Sequence, residues 1–289
     1  MARERRRSGQ HTRLWGAMLA LPTAWMVAFF LSSMVIVVLL SFGRTQRNGL
    51  PVFGTRLTNY DALWNDVYAE LFLRSLTYAV VTTVICALIA YPVAYAIALH
   101  GGRYKNVLIA AIVVPFFASY LIRMYAWSAL LSDDGVVNSA IRKLGLGSGV
   151  TFLNTPTAVV GGLVYGYVVF MILPVYAALE RMDTALIEAG KDLYHGPLRT
   201  FFSVTLPATR AGLFGGMLLV FLPALGDFVS AQLLGGPRTY MIGNLIQQQF
   251  LEGQNWPLGS AMTVAMMLAL TVLMVVYLRA TATRGREAS

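Results

Sequence analysis

Six stretches of this chain stay apolar for about 20 residues or more, the length a helix needs to cross hydrocarbon with its backbone hydrogen bonds satisfied internally. They run from about Trp15 to Phe42, Leu76 to Leu99, Val107 to Leu131, Ala158 to Leu179, Ala211 to Leu234 and Leu258 to Leu278. Arg123 interrupts the third near its outer end, and Asp227 is the one acidic residue within a predicted span. Polar residues, glycine and proline return between the stretches, so the pattern predicts an all-α transmembrane domain of six spans over residues 15–280. Short polar tails flank it at 1–14 and 281–289. The basic leader "RERRRSGQHTR" also fits a secretory signal, but the apolar stretch behind it exceeds the roughly 7 to 15 residues of a cleavable core. It is read as an uncleaved helix.

Composition agrees with the pattern. Of the 289 residues 57% are hydrophobic and 12% charged, against about a quarter charged in an ordinary soluble chain. The single cysteine, Cys86, lies in an apolar run, which leaves no internal disulfide and no thiolate metal cluster. The net charge of +9 is spread over tails and short loops, not gathered in one basic domain, so it argues for topology and against nucleic acid. With both termini on one side, that side holds 14 of the 22 basic residues, and three loops on the other side are long, where the charge rule is weakest. Both termini are therefore expected in the cytoplasm. The segments 43–75, 132–156 and 235–256 then face outward and are long enough for short surface helices. Pro22, Pro92, Pro115, Pro174 and Pro223 fall within five of the spans, and Gly161, Gly162, Gly215 and Gly216 cluster in spans four and five. Kinks and close helix contacts are the plain reading; bending around a transient pathway is compatible with it.

One cytoplasmic loop, 181–207, carries more than solvation requires. "DTALIEAGKDLY" is compatible with a short helix capped by Asp183, and Gly196 and Pro197 act as a stop before "LRTFFSVTLP" enters span five. Leu186, Ile187 and Leu193 are expected on one face, with Glu188, Lys191 and Asp192 left for another surface. The loop binds no nucleotide of its own: Lys191 is followed by Asp192 where a phosphate loop needs Ser or Thr, and Ala185 stands where it needs glycine.

The loop resembles the "EAA" motif of the permeases of ATP-driven importers in the ABC superfamily. Glu188 and Ala189 match the opening pair, Gly190 replaces the third alanine, and Leu206 and Pro207 match the terminal pair at the family spacing. The family's usual glycine falls at Tyr194, with Gly196 two residues late. The resemblance implies the six-helix type I importer fold in a bacterial inner membrane. It also implies a coupling helix, built around Glu188, Ala189, Gly190, Asp192, Gly196, Leu206 and Pro207, that sits in a groove of a separate ATPase subunit. Two ATPase subunits, a second related permease chain and a soluble binding protein are the implied partners beside the bilayer. This chain would form half of the path, catalyse nothing, and need no cofactor or metal.

A second block narrows the substrate. In "FLPALGDFVSAQLLGGPRTYMIGNLIQQQFLEGQNWPLGS", residues 221–260, the elements "GDF", "LLGG", "MIGN" and "NWPLGS" resemble the spermidine and putrescine permease branch. Permeases for iron, sulfate, phosphonate and thiamine are relatives. Asp227 is a plausible offset for a passing ammonium group, since a carboxylate in a membrane is costly unless it faces a cavity or a partner. A structural pair with Arg123 is the bland alternative. Phe221, Phe228, Tyr120 and Tyr125 are candidates for cation–π contact, worth about 0.5 to 2 kcal/mol, against plain packing.

Rival classes find less in the sequence. There is no HExxH, "GLGSG" has Leu146 where a serine-hydrolase motif around Ser148 needs glycine, and His11, His100 and His195 keep no metal-ligand spacing. A gradient-driven secondary transporter usually shows an internal repeat, and none is evident here.

Overall fold

The structure is a computed structural model and describes residues 2–46, 49–64, 66–145, 150–194 and 196–286. Arg47, Leu146, Ser148 and His195 lie outside these residues, as does the end of the C-terminal tail. Among the described residues five helices are long and apolar enough to cross a membrane: span one, Leu19–Ser41; span two, Val67–His100; span four, Pro156–Glu180; span five, Pro197–Gly226; and span six, Trp256–Arg279.

Span three is not the straight rod expected from its hydropathy. Its two parts, Gly102–Phe117 and Tyr120–Lys143, are bent by 90°. Pro115 opens a tight 3-10 turn, Val114–Phe117, and Ala118 and Ser119 then run extended with ψ of 144° and 130° before the helix Tyr120–Leu131 begins. Proline lacks the N–H that would continue the ladder and crowds the turn before it. Pro22, Pro92, Pro174 and Pro223 lie inside continuous helices, so residue type alone does not decide where a span breaks. Arg123 consequently sits in the first turn after a break, not near the far end of one long helix.

Span five also differs from expectation. Its helical course begins at Pro197 rather than near Ala211 and ends at Gly226; Asp227 is extended, with ψ of 135°, and a separate short helix, Val229–Leu233, follows. Asp227 thus stands just past the end of the span.

The chain forms two compact units. In the larger, Asn65–Gln247 with Met274–Ser289, the core lies between spans two, four and five. Cys86, Ala90, Tyr91 and Ala94 pack against Met171, Ile172, Val175, Leu179 and Val220. Small residues let the backbones approach. A Cβ on Gly212 would come within 2.5 Å of Ala178 Cβ and 2.6 Å of the Pro174 carbonyl, and one on Gly216 within 2.7 Å of Met171 Sδ. Gly161 and Gly215, singled out with them in the sequence, face open space. A buried 2.6 Å hydrogen bond joins Tyr91 to Thr209 across spans two and five.

In the other unit, Met1–Trp64 with Gln248–Leu273, span one ends in a two-residue antiparallel ladder, Arg44–Thr45 with Pro51–Val52. Asn59 donates to the carbonyls of Ser41 and Gly43, closing the turn that leaves the helix. Of the expected outer surface helices, Thr58–Asp61, Val136–Lys143 and Ile242–Leu251 are present in the three long segments.

Candidate substrate site and coupling segment

The two broken elements meet at Asp227. Its carboxylate is buried, with 5% exposure, and accepts three hydrogen bonds. Tyr120, the first residue after the break in span three, donates to Oδ2 at 2.7 Å; Tyr167 of span four donates to the same oxygen at 2.8 Å; and the Ser230 N–H donates to Oδ1 at 2.7 Å. The last bond satisfies an N–H at the start of the helix Val229–Leu233 that has no partner inside it. Tyr120 also lies 2.6 Å from Ser230 Oγ. Because Tyr120 gives its hydrogen to the carboxylate, Ser230 supplies the hydrogen in this second bond.

Span four makes room for this arrangement. A Cβ on Gly166 would fall 2.6 Å from the Tyr120 ring, and one on Gly162 would meet Leu234 and Met124. Tyr120 and Met124 are four residues apart, as are Gly162 and Gly166, so one face of a short helix lies in a groove cut by two glycines.

The "MIGN" and "LLGG" elements hold the chain beyond Asp227. Asn244 donates from Nδ2 to the Phe228 carbonyl at 2.8 Å and accepts from the Met241 N–H at 3.0 Å. A Cβ on Gly243 would press within 2.7 Å of the Gly226 carbonyl and 3.0 Å of the Asp227 carbonyl, so only glycine lets this segment lie on the break. Span two anchors it in turn: Arg74 donates to the Tyr240 carbonyl and Ser75 Oγ accepts from the Ile242 N–H. Upstream, the Asn154 N–H donates to the Leu234 carbonyl, and Thr239 Oγ1 closes a turn on Gly236.

Arg123 does not pair with Asp227. Its guanidinium lies over three ring faces, 5.0 Å from the centroid of Phe116 and 5.6 Å from those of Tyr120 and Tyr165. Tyr120, one helical turn before it, intervenes physically: the hydroxyl takes the carboxylate and the ring face takes the cation. Of the four aromatics proposed from sequence, Tyr120 is the one bonded to the carboxylate; Phe221 is half-buried on span five, and Phe228 and Tyr125 are exposed. Sequence reasoning missed Tyr167, Ser230 and Gly166. A usable signal for Tyr167 existed, since a phenol hydroxyl in mid-span needs a partner. Among the described residues no three His, Cys, Asp or Glu side chains gather closely enough to hold a metal ion.

The loop of the "EAA" resemblance folds into the helix Thr184–Tyr194, with Asp183 Oδ1 accepting from the Ala185 N–H at 3.0 Å. Among its described side chains Ile187 and Gly190 are the buried positions, and Leu186 and Leu193 are exposed, which corrects the expectation that the three aliphatic residues share one inward face. The reason is local packing. A Cβ on Gly190 would stand 2.9 Å from a Thr200 methyl and 3.0 Å from one of Val204, so the missing third alanine is replaced by the residue that lets this helix close on the segment 200–205. Glu188, Ala189, Lys191 and Asp192 are exposed. Gly196 is extended, with φ of −176°, and open around its α-carbon. This is extended backbone that any residue adopts, so a β-branched residue at this position meets no backbone strain. Leu206 and Pro207 open the final α-helical run of span five, Leu206–Gly226.

The family described as "Binding-protein-dependent transport system inner membrane component" matches the chain over residues 3–284. The chain is 37% identical over 265 residues to the spermidine/putrescine transport system permease protein PotB of Haemophilus influenzae, which covers 91% of this chain and 93% of that one. It is 35% identical over 258 residues to the protein of the same name in Escherichia coli, covering 89% and 94%. Among solved structures, a chain of a bacterial alginate ABC transporter, in complex with an alginate pentasaccharide-bound periplasmic protein, superposes with a TM-score of 0.74. The identity there is 18%, over 91% of this chain and 92% of that one, so that likeness concerns the all-α transmembrane fold alone.

Proposed function

Because this chain belongs to the family of inner membrane components of binding-protein-dependent transport systems, we propose that it is the permease subunit of an ATP-driven importer and supplies half of a path for spermidine and putrescine. It is a multi-pass inner membrane protein of a transport system. The observation that carries the cationic substrate is Asp227: a buried carboxylate where two interrupted spans meet, held by hydroxyl and amide donors and by no cation within ion-pair distance among the described residues. Interrupted helices that converge on a charged group are a recurring way to build a transport site. The names of the relatives support polyamines as the cations.

The subunit itself performs no catalysis in this reading. Hydrolysis belongs to two separate ATPase subunits, and the helix Thr184–Tyr194 carries their closure into the membrane. Its outward surface supports docking: Leu186 and Leu193 are exposed apolar side chains, with Glu188, Lys191 and Asp192 beside them. A two-fold engine needs a second, related permease chain, and a soluble binding protein delivers substrate on the opposite face.

Uptake of labelled putrescine, spermidine and iron, in cells with and without this chain, tests the function. Loss of polyamine uptake with iron unchanged is expected; iron uptake that follows the chain would reassign the substrate. Orientation has its own test. With both termini inside, a cysteine at Gly253 reacts with an impermeant thiol reagent in sealed cells and one at Gly196 does not. The native Cys86 is buried and leaves the readout clean.

A further inference from the structure

The site around Asp227 contains a fixed cation as well as an anion, and the two share a ring. Tyr120 bonds the carboxylate through its hydroxyl and lies under the Arg123 guanidinium through its face. Phe116 before the break in span three, Tyr120 after it and Tyr165 of span four complete a cage. Within it Arg123 Nε is buried without a hydrogen-bond partner. The ion pairs among the described residues are Arg74 with Glu70, Lys105 with Glu180 and Arg142 with Asp134, so no carboxylate neutralises Arg123. Aromatic rings attract a cation through their quadrupole but carry no net charge, so the full positive charge acts on anything that enters the site.

We infer that Arg123 is a specificity-determining residue that ranks cationic substrates by their number of ammonium groups, an inference that rests on reading Asp227 as the substrate's counter-charge. One carboxylate and one guanidinium sum to zero. A single ammonium at Asp227 is favoured by its immediate neighbour, whereas each further ammonium group finds no second carboxylate and meets Arg123 across a ring's width in a weakly screening environment. At the effective dielectric of a partly buried site this repulsion amounts to about tenfold in uptake per additional charge. The cage fixes the distance at which the repulsion acts, which is what turns one charge into a filter. Dications should therefore pass more readily than the tetracation spermine, relative to a chain that lacks the charge.

The test measures uptake of labelled putrescine, spermidine and spermine by cells carrying the complete transporter. Arg123→Met keeps the length of the side chain and removes the charge; it is expected to raise the spermine-to-putrescine ratio by about a hundredfold, about tenfold for each of the two additional charges. Arg123→Lys keeps the charge and is expected to keep the ratio. Tyr165→Leu removes one wall of the cage and provides a second route if Arg123→Met does not accumulate in the membrane. It should move the ratio in the same direction by a smaller factor. An unshifted ratio in a charge-removing or cage-opening variant that accumulates normally overturns the inference while leaving the polyamine function intact. A wild-type chain that takes up none of the three polyamines overturns the function and the inference together.

Discussion

Replacing Asp227 by asparagine is expected to lower polyamine uptake by roughly 10- to 100-fold while the chain still inserts and assembles. The structural half of this expectation follows from the donors. Asparagine keeps an oxygen for the Ser230 N–H, which Asp227 binds at 2.7 Å, and its new amide hydrogens face the hydroxyls of Tyr120 and Tyr167, which can turn from donating to accepting. The amide's oxygen and nitrogen both keep partners, so the junction of the two broken elements persists. What is lost is the charge. A charge-assisted contact to a substrate ammonium contributes about 1.5 to 3 kcal/mol, or up to about two orders of magnitude in uptake. The measurement is initial uptake rate against spermidine concentration, with the level of assembled complex recorded beside it. Normal uptake in a normally assembled Asp227→Asn chain would remove Asp227 from the substrate path. Failure to assemble would make it a structural residue. A rescue by neutralising Arg123, which an Asp227–Arg123 pair would demand, is not expected, because Arg123 lies on ring faces and the carboxylate lies on hydroxyls.

Reversing the charge of Glu188 should uncouple the transporter without disturbing the membrane domain. Glu188 is exposed on the helix Thr184–Tyr194, and the packing of that helix is carried by Ile187 and Gly190 on its other side. Glu188→Lys therefore costs the fold little. If the helix docks in an ATPase groove with a basic partner, the reversal replaces a charge-assisted contact by a repulsion, and loss of the contact alone weakens docking by about 10- to 100-fold. Substrate-stimulated ATP hydrolysis in a reconstituted complex is the readout, with co-purification of the ATPase beside it. Full stimulation together with full co-purification would mean that this loop is not the coupling element.

Both predictions rest on residues that were visible in the sequence, but for different reasons. Glu188 stood out through its spacing to Leu206 and Pro207, and the helix around it was legible because Asp183, an apolar periodicity and the Gly196–Pro197 stop are local signals. Asp227 stood out because a carboxylate in an apolar stretch is expensive. Of its partners only the Ser230 N–H is local, a helix-start donor three residues on; Tyr120 and Tyr167 are separated from Asp227 by dozens of residues, and no local rule links them. Arg123 was the alternative partner because opposite charges attract at any sequence distance. The structure prefers phenol hydroxyls, since Tyr120 reaches the carboxylate first and leaves the guanidinium its ring.

By itself the sequence determined that this chain lives in a membrane, roughly where it crosses, and that one loop between spans four and five forms a helix. Each of these follows from quantities summed over neighbours in the chain: apolar length, charge bias and capping. Only the tertiary structure decided that Pro115 ends a helix while Pro22, Pro92, Pro174 and Pro223 do not, and that span five stops before Asp227. It also decided that Gly243 and Asn244 exist to hold that stop in place. A freed carbonyl or an interrupted helix survives in an apolar medium only where a distant segment supplies the missing hydrogen bonds and the room. Asn244 supplies such a bond to Phe228, and Gly162 and Gly166 supply room for Met124 and Tyr120. These are contacts between residues far apart in the chain, which is why the break, and the site built on it, belong to the fold and not to the pattern.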